Sequence, residues 1–143
     1  MMAAVLSLSM NGITAFAQTD VDLTSHSGML RITEGGTYIL QGKLSGSVYV
    51  DAGNNDVELI LDGVDIDGKD SPGIVAVNRK KLRITLPEGS VNRVIDGNHD
   101  SQYNAAIYSM IDTVFRGDGS LYITGNNMNG IDVNSASLII NGG

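Results

Sequence analysis

Apolar residues return along this chain at a spacing of about two dozen positions, and that recurrence limits the fold more than any other feature. Val48 and Val50 return as Val75 and Val77, a shift of 27. Val57, Leu59 and Leu61 return as Leu82, Ile84 and Leu86, a shift of 25. Ile107 returns as Ile131 and Val114 as Leu138, each a shift of 24. Within the blocks apolar and polar residues alternate, so Val57, Leu59 and Leu61 share one face of a strand and Glu58 lies on the other. Strands this short need a neighbour to bury that face. Between them lie Gly53-Asn54-Asn55-Asp56, Asp65-Ile66-Asp67-Gly68, Asp96-Gly97-Asn98, Gly117-Asp118-Gly119 and Gly125-Asn126-Asn127. These residues tolerate left-handed backbone angles and mark turns. The pattern predicts an all-β chain, a parallel β-solenoid in which each coil stacks on the one before. The alternative is an antiparallel β-sandwich, which does not require recurrence at a near-constant spacing. From Val75 to Ile107 the shift is 32; the excess is assigned to an inserted polar loop, Asn98 to Asn104.

The ends read differently from the middle. Residues 1–17 carry no charge, contain the apolar stretch Ala3-Ala4-Val5-Leu6-Ser7-Leu8 and finish Ala15-Phe16-Ala17. That finish is the small-x-small pattern of a secretory cleavage site, which predicts a signal peptide cut before Gln18 and an exported domain over 18–143. No basic n-region precedes it, so the recorded start is expected to lie inside a longer leader. The stretch is too short to span a membrane. A helical N-terminal cap is the alternative. At the other end Asn141-Gly142-Gly143 follows a strand directly; an open solenoid end exposes strand edges, and the domain is expected to be an incomplete fragment.

The formal net charge is −7, which disfavours nucleic acid, since phosphate binding depends on lysine and arginine. It repels an anionic sugar polymer for the same reason unless cations are placed locally. With no cysteine, thiol catalysis and thiolate metal sites are excluded.

Gly35-Gly36-Thr37-Tyr38-Ile39-Leu40-Gln41-Gly42-Lys43-Leu44, Leu59-Ile60-Leu61-Asp62-Gly63-Val64-Asp65-Ile66, Asn104-Ala105-Ala106-Ile107-Tyr108-Ser109 and Gly119-Ser120-Leu121 resemble, in that order, a family of secreted carbohydrate-binding β-helix proteins once catalogued only as a domain of unknown function. The resemblance covers most of residues 33 to 143. It implies a right-handed parallel β-helix like that of polysaccharide lyases, binding of cellulose or polygalacturonate, and calcium. The chain departs from the family where Ser-Lys-Asp-Asp is expected before a strand: here Ser109 is followed by Met110-Ile111-Asp112, and the last coil reads Asn134-Ser135-Ala136-Ser137. Fewer carboxylates remain there for a cation.

Calcium takes several oxygen ligands in flexible geometry. The candidates are Asp62, Asp65, Asp67 and Asp70 in one connection, and Asp96, Asp100, Asp112, Asp118 and Asp132 from separate coils. The competing role for each is to accept hydrogen bonds from backbone amides in its own turn. Sugar rings stack on aromatic faces, which singles out Tyr38, Tyr49, Tyr103, Tyr108 and Tyr122, with Tyr49, Tyr103 and Tyr122 expected to be the outward-facing ones; Phe115 is equally suited to the interior. Arg79-Lys80-Lys81-Leu82-Arg83 is a basic stretch in an acidic chain: either a solvated turn or, through Lys80 and Arg83, a sugar contact. Beside calcium, one of these bases could also take the proton α to a uronate carboxylate. His26 and His99 look isolated.

The sequence therefore predicts an exported, non-catalytic module that binds polysaccharide, with calcium as a possible cofactor. A calcium-dependent pectate-lyase-like eliminase and a structural or adhesive surface solenoid are the two competing readings.

Overall fold

The computed structural model of the chain describes residues 7–10, 13–16, 18–99 and 102–142. Its described elements are, in order, β1 (Ser7–Met10), β2 (Ile13–Phe16), β3 (Thr19–Asp22), a 3-10 turn (Leu23–Ser25), β4 (Gly28–Ile32), β5 (Gly36–Val50), β6 (Val57–Asp67), β7 (Ile74–Ala76), β8 (Leu82–Leu86), β9 (Val91–Ile95), β10 (Ala105–Ser109), β11 (Thr113–Gly117), β12 (Ser120–Thr124), β13 (Asn129–Val133) and β14 (Leu138–Asn141). β1 and β2 pair antiparallel, so the described part of the leader region is a strand pair rather than a helical cap. The cleavage site at Ala17 lies outside the described residues. From Thr19 onward every pairing of described strands is parallel. The antiparallel sandwich is thereby set aside; the all-β, nearly closed set of parallel strands fits a β-solenoid.

The strands stack in three faces. The first carries β3, the start of β5, the start of β6, β8, β11 and β14. The second carries residues 42–45 of β5, residues 64–67 of β6, β9 and β12. The third carries β4, residues 46–50 of β5, β7, β10 and β13. β5 runs through all three because glycine lets it bend without breaking: Gly46 has φ +149°, and a Cβ there would run into the Gly28 carbonyl of the preceding coil.

Register makes the interior a set of ladders. Tyr38, Leu59, Ile84, Phe115 and Ile140 lie one over the next on the first face. Leu44, Ile66, Val94 and Ile123 do so on the second. Leu30, Val48, Ile74, Ile107 and Ile131 do so on the third. Asn92, fully buried at the corner between the first two faces, ties three coils together. Its Oδ1 accepts from the Gly63 and Val64 amides at 2.9 and 3.0 Å, and its Nδ2 donates to Ser90 Oγ and the Ser120 carbonyl. All four of its hydrogen-bonding positions are filled.

The spacing of Val57 to Leu82, Leu59 to Ile84 and Ile107 to Ile131 is found as expected. Three registers differ by one residue, the first being Ile107, which lies over Ile74 and not Val75. Val48 lies over Ile74, leaving Val75 outside beside Tyr49; Val114 pairs with Ile139, and Leu138 lies over Thr113. The run Ile74-Val75-Ala76-Val77 is apolar throughout, so alternation could not say which residue faces in. Phe115 fills the interior, and Tyr38, expected among exposed aromatics, is also buried in it, its hydroxyl donating to the Glu34 carbonyl at 2.8 Å.

Ladder positions should dominate stability. Ile84→Ala is expected to cost about 2–5 kcal/mol, whereas Val91→Ala, at a position 65% exposed, should change stability by no more than about 0.5 kcal/mol. Urea unfolding midpoints of the two variants test the contrast.

Candidate functional site

The corner where the third face passes into the first repeats in each coil. Its turns are residues 33–35, 51–56, 77–81, 110–112 and 134–137. Gly53, at φ +60°, lies in the second of them. Side chains bind two pairs of these turns. Asp56 Oδ1 accepts from the Lys81 amide at 3.2 Å, and Asp112 Oδ1, two coils on, accepts from the Ser137 amide at 2.9 Å. Buried Asn78 donates to the Asn55 carbonyl at 3.0 Å.

Two adjoining hollows open on this corner. One, of about 370 Å³, is lined by Asn54, Asn55, Asp56, Glu58, Lys80 and Arg83 among others. The other, of about 470 Å³, is lined by Asp56, Arg79, Lys80, Lys81, Met110 and Asp112 among others. Lys80 and Asp56 belong to both, so the hollows form one track along the stack. Among the described residues, none of Arg79, Lys80, Lys81 and Arg83 takes part in an ion pair. The sequence pointed to Lys80 and Arg83, and the structure brings them together in one hollow. It adds what sequence could not: Asn54, Asn55 and Glu58 beside them.

Glu58 holds the wall of the first hollow. Its Oε2 accepts from Thr85 Oγ1 at 2.6 Å and from Arg116 Nη2 at 2.7 Å, and Oε1 from Thr37 Oγ1 at 3.4 Å. Partial burial pushes its pKa up, but the hydrogen bonds from Thr85 and Arg116, together with the Arg116 charge, outweigh it and leave the carboxyl below its ordinary range. The hollow thus presents free cations against a fixed carboxylate and planar amides, donors and acceptors of the kind that bind hydroxyl and carboxylate groups.

Tyr49 and Tyr103 come together on the outside of the third face, and Tyr122 does not join them. Tyr49 projects outward opposite Val75, and Arg31 lies over its ring at 4.8 Å. Tyr103, from the connection after β9, stacks obliquely on Tyr108 with centroids 4.9 Å apart. Tyr108 is covered by this contact rather than exposed, at 6%. Tyr122 is 63% exposed on the second face, beside Arg93 in the register.

The candidate calcium carboxylates are scattered. Asp62 accepts from Gln41 Nε2 at 2.9 Å. Asp65 pairs with Arg93 at 2.7 Å and with Lys43 at 3.8 Å. Asp67 pairs with Lys69 at 3.1 Å; burial raises its pKa, but the Lys69 amide and ammonium prevail and lower it. Asp112 binds the Ser137 amide, Asp118 is exposed in the turn after β11, and Asp132 lies beside Tyr108 on the third face. Among the described residues no group of three or more His, Cys, Asp or Glu could hold a metal. Calcium asks for several oxygen ligands at once, and these residues do not fit it as a set. His99, isolated in sequence, is partnered: its Nε2 lies 2.9 Å from Asp96 Oδ2, with both side chains wholly buried.

Comparison with known proteins shows the family of the chain. A family whose members are described as carbohydrate-binding domain-containing proteins matches residues 26–143. A carbohydrate-binding domain-containing protein of Acetivibrio thermocellus is 34% identical over 123 residues, 80% of this chain and 43% of its own length. The chain therefore spans less than half of that relative. No solved structure matches the chain.

The lowered pKa of Glu58 carries a sign. A carboxyl lowered on folding contributes stability that is complete above its unfolded value, near 4.5, and is lost as the pH falls through the lower folded value. Wild type should exceed Glu58→Gln in thermal stability at pH 6–7, and the gap should close as the pH drops from about 5 towards 3, as read from melting temperatures in a pH series. A gap independent of pH contradicts this.

Proposed function

We propose that this chain, which belongs to the family of carbohydrate-binding domain-containing proteins, is a non-catalytic module that binds a cellulose- or pectin-like polysaccharide outside the cell. The observation that carries the reading is the corner track. Arg79-Lys80-Lys81-Leu82-Arg83 holds four of the nine Lys and Arg residues of a chain whose net charge is −7, and these four side chains line or flank two adjoining hollows. Cations without carboxylate partners among the described residues attract an anionic ligand to that place. A sugar polymer with carboxylates along it, of the polygalacturonate type, fits the charge; Asn54, Asn55 and Asp56 fit its hydroxyls. Coils stack at about 4.8 Å, so a polymer of repeating units meets a surface that also repeats.

The finer points of the reading have the same footing. The domain over 18–143 is taken as a right-handed parallel β-helix, the leader over 1–17 as the route to secretion, and calcium as a bridge between polymer and protein carboxylates whose effect is to be measured, not assumed. No membrane-spanning segment is needed for this role, and no helix among the described residues is long and apolar enough to cross a membrane.

Affinity electrophoresis through gels of polygalacturonate and of neutral glucans, with and without calcium, tests the reading. The wild type should be retarded by polygalacturonate, less so as salt rises. Lys80→Ala with Arg83→Ala should weaken that binding about tenfold while leaving circular dichroism unchanged. Migration unaffected by any polysaccharide would favour a structural spacer. A rise in absorbance from unsaturated product on incubation with polygalacturonate and calcium would make the protein an eliminase.

A further inference from the structure

The coil made by β12, β13 and β14 differs from the coils beneath it. Each of these strands pairs on one side only among the described strands, β12 with β9, β13 with β10 and β14 with β11. Their other edges present rows of backbone N–H and C=O groups, a ready template for a further strand. The interior ladders end there too. Ile140 stands over Phe115 in the first-face ladder, yet Phe115 is 4% exposed and Ile140 61%. Leu138 and Ile139 beside it are exposed, and Ile123 and Ile131, the last rungs of the other two ladders, are only half-buried. No described residue from 120 to 142 is buried. Strand edges are ordinarily blunted by charged side chains or proline. Here, of the chain's 9 basic and 16 acidic residues, only Asp132 falls within 119–143, and it stands beside Tyr108 on the outside of the third face.

We propose that this end docks a second copy of the chain, end to end about a two-fold axis, with the strand edges of the two copies paired antiparallel. Such a rotation reverses the direction in which the chain runs around the coil. β14 then meets its own copy, while β12 of each chain meets β13 of the other. The pairing fills both sets of edge groups and covers Ile123, Ile131 and Ile140 of each copy with those of its partner. Charge permits it. Two chains of net charge −7 repel one another, but the strands that meet here carry no charge except the outward Asp132. The opposite end of the stack is not a rival partner. Its inward residues Val21, Leu23, Leu30 and Ile32 are already buried, and its edge strands carry Asp20, Asp22 and Arg31. Contact between unlike ends would also be heterologous and would grow into a filament, whereas like-to-like contact closes at two copies. The dimer needs no ligand and stands apart from the role proposed for the corner.

Sedimentation equilibrium of the intact chain over a wide range of concentration is the test. The wild type should pass from monomer to a species of twice the monomer mass and stop there. Ile140→Lys puts a charge on a strand edge that meets its own copy, and should weaken the dimer by about tenfold with circular dichroism unchanged. Ile140→Glu should do the same. The two variants, each weakened alone, should associate when mixed in equal amounts, which a misfolded coil could not do. Asp20→Lys, at the covered end, should leave the dimer as it is. A wild type that stays monomeric throughout overturns the proposal. So does a mass that keeps growing with concentration, since that marks contact between unlike ends. A dimer that Ile140→Lys leaves unweakened places the contact elsewhere and overturns it too. Failure of the mixed pair to associate, with both variants matching the wild type in circular dichroism, overturns the pairing of β14 with its copy.

Discussion

Each coil of this protein is hydrogen-bonded along its strands to the coils before and after it, and that single constraint governs the rest. In a parallel stack each face holds its own register, which shifts between Leu40 and Gly42 where one face passes into the next, so a residue's neighbours above and below are settled by the backbone. An inward position must then hold a side chain that fits its copies, which is why Leu59, Ile84 and Phe115 can follow one another and a charged residue could not. The ladders Leu44–Ile66–Val94 and Val48–Ile74–Ile107 obey the same rule. Corners carry the opposite demand. There the chain must turn without leaving backbone groups unpaired, and Asn92, Asp56 and Asp112 supply the missing partners across coils.

Because the interior is spoken for, chemistry is confined to outward columns and corner turns. A fold of this kind is compatible with many functions, and function is argued from sites grafted on it. The inward half of each strand repeats, while the outward half is free to differ from coil to coil. On the first face that freedom places Glu58 beside Thr85 and Arg116, a polar patch satisfied within itself. On the second it places Lys43, Asp65 and Arg93 in one column, again self-paired. The corner cations Arg79, Lys80, Lys81 and Arg83 take part in no such ion pair among the described residues.

Much of the scaffold was legible in the sequence because alternation and recurrence are the same physics read in one dimension. Where Val57, Leu59 and Leu61 alternate with polar residues, the spacing to the next coil could be read to the residue. Where Ile74-Val75-Ala76-Val77 is apolar throughout, the spacing came out one too long, and Val75 was placed inside when it lies under tyrosines outside. The basic stretch was legible as composition but not as a site, since only folding sets Lys80 and Arg83 against Glu58 and Asn54. The aspartates illustrate the limit most plainly. Asp112, one of the calcium candidates, accepts from an amide of the next turn, a role that one-dimensional spacing cannot tell from ligation. Tyr49 is far in sequence from Tyr103 and Tyr108, and the pairing of Tyr108 with Val75 depends on the longer coil that contains the inserted loop.

A repeating surface also changes what affinity means. The corner contacts are exposed, and an exposed charge pair contributes little by itself, of order 0–1 kcal/mol. A free sugar would gain too little from one such turn to offset the cost of being held. A polymer differs, because once one unit is seated the next is presented to the next coil at a high effective concentration. Discrimination then comes from matching a series of modest contacts in order, which a rigid stack provides and a flexible loop does not. The same reasoning gives the inserted loop its importance. It lengthens one coil without disturbing the ladders, and it brings Tyr103 over Tyr108 at a position where the repeat alone would leave a single outward tyrosine. One coil is thereby longer than its neighbours, while the ladder Ile74–Ile107–Ile131 runs on through it.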